Sequence, residues 1–349
     1  SPVKYSSIPD LVDGDRLPAA NAWVQGVTIV AIVTGMAFGG LCDPKLQGWI
    51  AEHTGITLGI HPAWVIAGVS AALCAIGIAG AFAMPALPAR RPGAPLRPFA
   101  FIEQARAFAL PGVLVPALSL CGFWALGAAT KTLIQPVVVG VWGAGEIVQA
   151  GLFLAIAGGI ALGAALTPSL MVRAFPAGAP VVGGIIAGAA LLAAGWTAHT
   201  AGPGGGGETA LWLLAGALLL CGIGSGLWEV PLQVFVQERS PPEQRNRVLA
   251  AANLTSNVAI IIAALAVGPG ASAIGLASPA VMVLVGGIAL AMALGALWLY
   301  RGQVACWAAS QALRLLFRVE VAPPCPAMML ERIGTIGSTH GVKESPSPA

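Results

Sequence analysis

The stretch RNRVLAAANLTSNVAIIIAAL, residues 245–265, has a near copy in DGDRLPAANAWVQGVTIVAIV, residues 13–33. The offset, 253 − 21 = 232 residues, pairs Asn21 with Asn253 and also pairs Gln25 with Asn257 and Ile29 with Ile261. In both copies a turn carrying arginine leads into an Ala-Asn helix start and then a long apolar run. One structural block has been used twice, and its nature depends on the solvent around it.

Composition settles the solvent. The chain is 57% hydrophobic and only 9% charged, with 46 glycines among 349 residues. A water-soluble domain carries roughly 25% charged residues, so a solvated surface is excluded and the bilayer takes its place. A membrane-crossing helix needs about 20 mostly apolar residues. Eight segments qualify: 19–42, 62–87, 110–139, 147–170, 175–197, 209–236, 248–270 and 278–300. The expected fold class is an all-α polytopic membrane protein of about eight transmembrane helices.

Charge patterning orients these spans. Lys4, Arg16, Arg90, Arg91, Arg97, Arg106, Arg173, Arg239, Arg245, Arg247 and the five basic residues after position 300 fall on one side, against Lys45 on the other. Basic loops stay cytoplasmic, which puts both chain ends and the 88–109 connection inside. No basic patch suits nucleic acid. The six cysteines stand singly, without CxxC or a grouping with the four histidines, so neither a metal site nor a cofactor is expected.

The two copies begin the first and seventh spans, which gives a period of six. Six-span halves related by an axis along the membrane normal are the plan of major facilitator transporters. With that period the eight spans take places five to twelve of twelve, an incomplete major facilitator fold. Residues 1–87 are then the remnant of an N-terminal six-helix bundle (two spans), 88–109 the cytoplasmic link, 110–300 the C-terminal six-helix bundle and 301–349 a cytoplasmic tail. The Ser at position 1 points to a fragment or processed product.

Three strings carry a family resemblance: SPVKYSSIPDLVDGDRLPAANAWVQGVTIVAIVTGMAFGGL at residues 1–41, FWALGAATKTLIQ at 123–135, and EVPLQVFVQERSPPEQRNRVLAAANLTSN at 229–257. Over about residues 1–300 the chain resembles bacterial lysophospholipid transporters of the major facilitator superfamily. The resemblance implies a secondary carrier that moves lysophospholipid between leaflets of the inner membrane by alternating access. A drug or siderophore exporter of the same superfamily and the membrane portion of a bifunctional acyltransferase are the alternatives. The loop SLMVRAFPAG keeps little of the superfamily signature beyond Arg173, so the coupling ion is open.

Charged side chains at bilayer depth cost about 2.5–3.5 kcal/mol, and two need a reason. Lys131 shares a helical face with Trp124, Ala128 and Gln135, a face with an aromatic wall, a cation and an amide that suits a phosphate head group beside an acyl chain. The alternatives for Lys131 are snorkelling to the surface or pairing with a carboxylate of the other half. Glu229 is a coupling or gating group, or else an interfacial carboxylate held by Arg239 or Arg245. The amide pairs Asn21 with Gln25 and Asn253 with Asn257 should face the bundle interior, as glue at a gate or as pathway lining. Gly35 with Gly39 and Gly222 with Gly226 have the spacing that lets helices approach closely.

After Arg301 an amphipathic run, QVACWAASQALRLLFRVEV, gives way to a polar, proline-containing stretch. LRLLFRVEV resembles the entry to an acyltransferase domain fused behind some members of this family, so a fused or partner acyltransferase is implied. That chemistry needs a His and an Asp separated by four residues. The tail's His340 is followed five residues on by Ser345, and no catalysis is assigned.

Overall fold

A computed structural model describes residues 2–41, 48, 51–55, 62–83, 112–172, 176–204 and 207–316. The 88–109 connection, Lys45, Arg173 and the tail beyond 316, including His340, lie outside the described residues. The first of two compact units, Ser1–Trp307, holds the features described below.

The apolar runs form helices: α1 (Pro2–Leu11), α2 (Leu17–Leu41), α3 (Pro62–Ala83), α4 (Leu114–Gln135), α5 (Glu146–Leu170), α6 (Gly178–Ala201), α7 (Glu208–Arg239), α8 (Arg245–Leu265), α9 (Ser278–Leu299) and α10 (Arg301–Leu316). Both α4 and α8 widen into π-helical turns at their ends, Pro136–Val141 and Ala266–Gly270. Helix α6 stops at Gly202, whose φ of 65° is open to glycine and strained for most other residues. Helix α7 opens on Glu208 and closes on Arg239, charges that complement its dipole.

Among the described residues six helices are long and apolar enough to cross a membrane: Leu114–Val141, Val148–Leu170, Gly178–Ala201, Glu208–Arg239, Arg245–Ala273 and Ser278–Leu299. These coincide with the last six expected spans to within a few residues. The first two expected spans are helical as α2 and α3. In α3 the apolar stretch Ala67–Ala83 is shorter than a full crossing, and Leu73, Ile76, Ile78 and Phe82 are exposed on it.

The packing is tightest around α7. It lies against α5 on one side and α6 on the other, and α6 in turn lies against α9. Helices α4 and α8 form a second pair, α2 packs on α5 and α7, and α1 packs on α8. So α1 meets the second copy of the repeat, and α2, the first copy, meets the helix that precedes the second.

Lipid tails are as apolar as leucine, so helix association in a membrane depends on close packing. A Cβ placed on Gly159 or Gly163 of α5 would strike the carbonyl oxygens of Leu219 and Ile223 of α7. One on Gly222 or Gly226 would strike those of Ile156 and Ile160 in return. Two small-xxx-small pairs thus face each other, backbone on backbone. The expectation for Gly222 and Gly226 holds. The one for Gly35 does not: it is exposed, and a Cβ there would meet nothing within 4 Å. The side-chain surroundings of Gly39 lie outside the described residues.

Overpacking a tight interface costs about 1–3 kcal/mol. Gly222→Val is therefore expected to lower the thermal unfolding midpoint of the purified protein by several degrees. Gly216→Val, on an open face of the same helix, should leave the midpoint within about 2 °C; size-exclusion thermal scans compare the two.

Candidate functional site

Counting along α7 at 3.6 residues per turn, Gly222, Gly226, Glu229, Gln233 and Gln237 fall on one stripe. Its first two members lie flat against α5. Beyond them α5 gives way to α2, and the stripe becomes polar. Pro231, inside α7, lacks the N–H that would bond the carbonyl four residues back. Such a break is tolerated at membrane depth where the freed group lies within protein or beside a cavity.

The polar part of the stripe opens on a cavity of about 190 Å³ between α1, α2, α4, α7 and α8, lined by Tyr5, Gln25, Thr28, Trp124, Glu229, Gln233, Asn253 and Ser256 together with Leu120, Leu249 and Ala252. Glu229 is only 3% exposed, and Tyr5 lies close enough to feel its charge. The Tyr5 hydroxyl donates to Gln25 Oε1 at 3.4 Å. Trp124 is 41% exposed. Its ring stands edge-on to Phe123 at 5.3 Å between centroids, and Phe123 stands edge-on to Trp228 at 6.2 Å. This aromatic ladder fixes the Trp124 ring at the cavity wall.

Below the cavity the wall is sealed by a reciprocal amide pair. Asn21 Nδ2 donates to Gln237 Oε1 at 2.9 Å, Gln237 Nε2 donates to Asn21 Oδ1 at 3.0 Å, and Asn21 Nδ2 also donates to the Leu17 carbonyl at 2.9 Å. Both residues are buried, at 1% and 0% exposed. Further along, Arg245 reaches the Gln237 carbonyl through Nε at 3.2 Å and pairs with Asp10 at 3.4 Å. Ile8 and Leu17 pack against Val234 around these contacts. Polar and apolar contacts together tie α1 and α2 to α7 and α8 at the end of the bundle that carries Arg239, Arg245 and Arg247.

Of the residues singled out in the sequence, Gln25, Trp124, Glu229 and Asn253 meet at the cavity. Asn21 belongs to the seal. Lys131 and Gln135 are exposed and lie on the Trp124 face of α4, Lys131 about 10 Å along the axis from Trp124 at 1.5 Å per residue. Asn257 is also exposed, with its Nδ2 donating to the Asn253 carbonyl at 2.7 Å. Each arginine weighed as a partner of Glu229 makes a described contact of its own. Arg245 is engaged with Asp10 and Gln237, while Arg239 lies over the Phe235 ring at 5.0 Å, about 15 Å along α7 from Glu229.

Thr28, Gln233, Ser256 and Gln237 are site residues that the sequence reading does not name, and Tyr5, beside Lys4, was given no role there. Gln233 and Gln237 share the stripe of Glu229, and that spacing was a usable signal. Nothing in the sequence identified Gln237 as the partner of Asn21, 216 residues away.

Removing one member of a buried hydrogen-bonded pair strands the other, whereas replacing both can be nearly neutral. Gln237→Leu is expected to destabilise the protein by about 1 kcal/mol or more, and Asn21→Leu similarly. The double variant should cost clearly less than the sum of the two, as read from a thermal double-mutant cycle. Additive losses would mean that the pair is not coupled.

Comparison with known proteins agrees with this architecture. The Major Facilitator Superfamily pattern matches residues 1–264. The lysophospholipid transporter LplT of Klebsiella pneumoniae (strain 342) is 30% identical over 323 residues, covering 86% of this chain and 70% of the relative. LplT of Cronobacter sakazakii is 29% identical with the same coverage, as is LplT of an Enterobacter species over 322 residues. No solved structure gives a significant match. With six described helices of membrane-crossing length, a polar cavity where α2 and α8 converge, and the superfamily pattern matched over most of its length, the chain belongs to the Major Facilitator Superfamily.

Proposed function

We propose that this protein carries a lysophospholipid between the leaflets of a bacterial cytoplasmic membrane by alternating access. It is a transporter, not an enzyme, as its relatives are. The observation that carries the reading is a polar cavity at bilayer depth enclosed by both copies of the repeat, with apolar helix faces beside it. A lysophospholipid has one charged head and one chain. The head fits the cavity and the Lys131 face, and the chain fits the apolar surfaces of the surrounding helices.

In this reading α2 and α3 take the places of spans five and six, and α4 to α9 those of spans seven to twelve. The basic side faces the cytoplasm. The Asn21–Gln237 and Asp10–Arg245 contacts then close the cytoplasmic gate, and the cavity faces the outer leaflet in the present conformation. Lys131 meets the phosphate as it enters from that side, acting as a point charge. An acyltransferase, fused or separate, would consume the lysolipid delivered inside.

The test is movement of labelled lysophospholipid in membrane vesicles containing the protein. Lys131→Ala is expected to lower uptake about tenfold, while Lys131→Arg keeps most of it, because both cations bind phosphate. Export of a soluble cation or chelator with no lysolipid movement would overturn the reading.

A further inference from the structure

A second cavity, of about 200 Å³, lies on the other side of α7, between α4, α6, α7 and α9. Glu229 and Gln233 line the polar cavity, whereas Trp228, Leu232 and Phe235 line this one. None of its described lining residues is charged, and aliphatic and aromatic side chains dominate. At the deep end the Trp228 ring lies beside Gly122 and Gly184, where an added Cβ would come within 3.9 Å of it in each case. From Trp228 to Phe235 the cavity follows α7 for about 10 Å at 1.5 Å per residue. Val115 of α4 and Met292 of α9 line it and are 53% and 60% exposed. Between those two helices the cavity is open to the hydrocarbon of the bilayer.

The shallow end is polar. Tyr300 and Gln303 line it there, and Gln303 Oε1 accepts the Ala177 N–H at 3.4 Å. One turn beyond Phe235, Arg239 is exposed, with its guanidinium carbon 5.0 Å from the centre of the Phe235 ring. Arg301, also exposed, directly follows Tyr300. The acidic neighbour on α7, Glu238, projects about 100° round the helix from Arg239. Apolar cavities of about 150 Å³ stay dry and take up apolar guests, and basic pockets between membrane helices bind acidic head groups. We propose that this cavity holds an acyl chain of an acidic membrane phospholipid whose head group meets Arg239. The lipid comes from the leaflet at the basic end of the bundle. The site lies apart from the polar cavity and does not depend on the lysophospholipid reading.

Lipid titration of the purified, delipidated chain in a neutral maltoside detergent, read by native mass spectrometry, tests this with three probes. They are dioleoyl phosphatidylglycerol, dioleoyl phosphatidylethanolamine and oleate. The glycerol lipid is expected to bind at least about tenfold tighter than the ethanolamine lipid. Arg239→Gln should bring that ratio within about twofold, and Arg239→Lys should preserve most of it. Arg247→Gln, at the same end of the bundle, should leave it unchanged. Val115→Trp and Met292→Trp, on different helices, each narrow the opening and should weaken phosphatidylglycerol binding at least about fivefold; thermal scans establish that each variant compared is folded. Equal affinity for the two phospholipids, a ratio unchanged in Arg239→Gln, or full binding by a folded opening variant would overturn the proposal. Tight binding of oleate with no binding of phosphatidylglycerol would equally overturn it, by assigning the site to a free fatty acid.

Discussion

The rotation of α7 about its own axis is the constraint from which the rest follows. Gly222 and Gly226 bring its backbone against Gly159 and Gly163 of α5, and Gly224 does the same against Gly183 of α6 on the opposite face. Contacts this close on two sides leave the helix no freedom to turn. Glu229, Gln233 and Gln237 continue the α5-facing stripe and are therefore aimed at the space between the two copies of the repeat. Trp228, from the other face, is directed into the bundle, where it supports Phe123. Packing without side chains thus sets the direction of the side chains that act.

The polar groups divide by depth. Near the basic end they pair with each other, as in the Asn21–Gln237 amides and the Arg245–Asp10 pair. Higher up, they line a cavity. A hydrogen-bonded amide pair at membrane depth typically contributes about 0.6–2 kcal/mol. A contact of that strength holds two blocks together and can still be exchanged for contacts of a second state. That suits a carrier whose halves rock, because a seal worth much more would resist opening.

Much of the fold was legible in the sequence because apolar length decides it. The last six spans are located to within a few residues, while the packing of α1 and α2 on α8 and α7 was not anticipated. Less of the site was legible. The Trp124 face and the stripe position of Glu229 follow from helical periodicity, which is a local property. Whether Lys131 lies within the cavity or beside it, and whether an arginine reaches Glu229 or Asp10, depends on how separate helices are set against one another. Gly35 shows the same limit: its spacing with Gly39 equals that of Gly222 with Gly226, yet Gly35 meets no neighbouring helix while Gly222 and Gly226 face matching glycines.

The central claim is that α2 and α7 separate at the Asn21–Gln237 seam during transport. Cysteines introduced at positions 21 and 237, in a background with the native cysteines replaced, should be bridged by a short bifunctional thiol reagent. The account predicts that bridging abolishes lysophospholipid movement and that reductive release restores it. Bridged protein that still transports at the unbridged rate would contradict it.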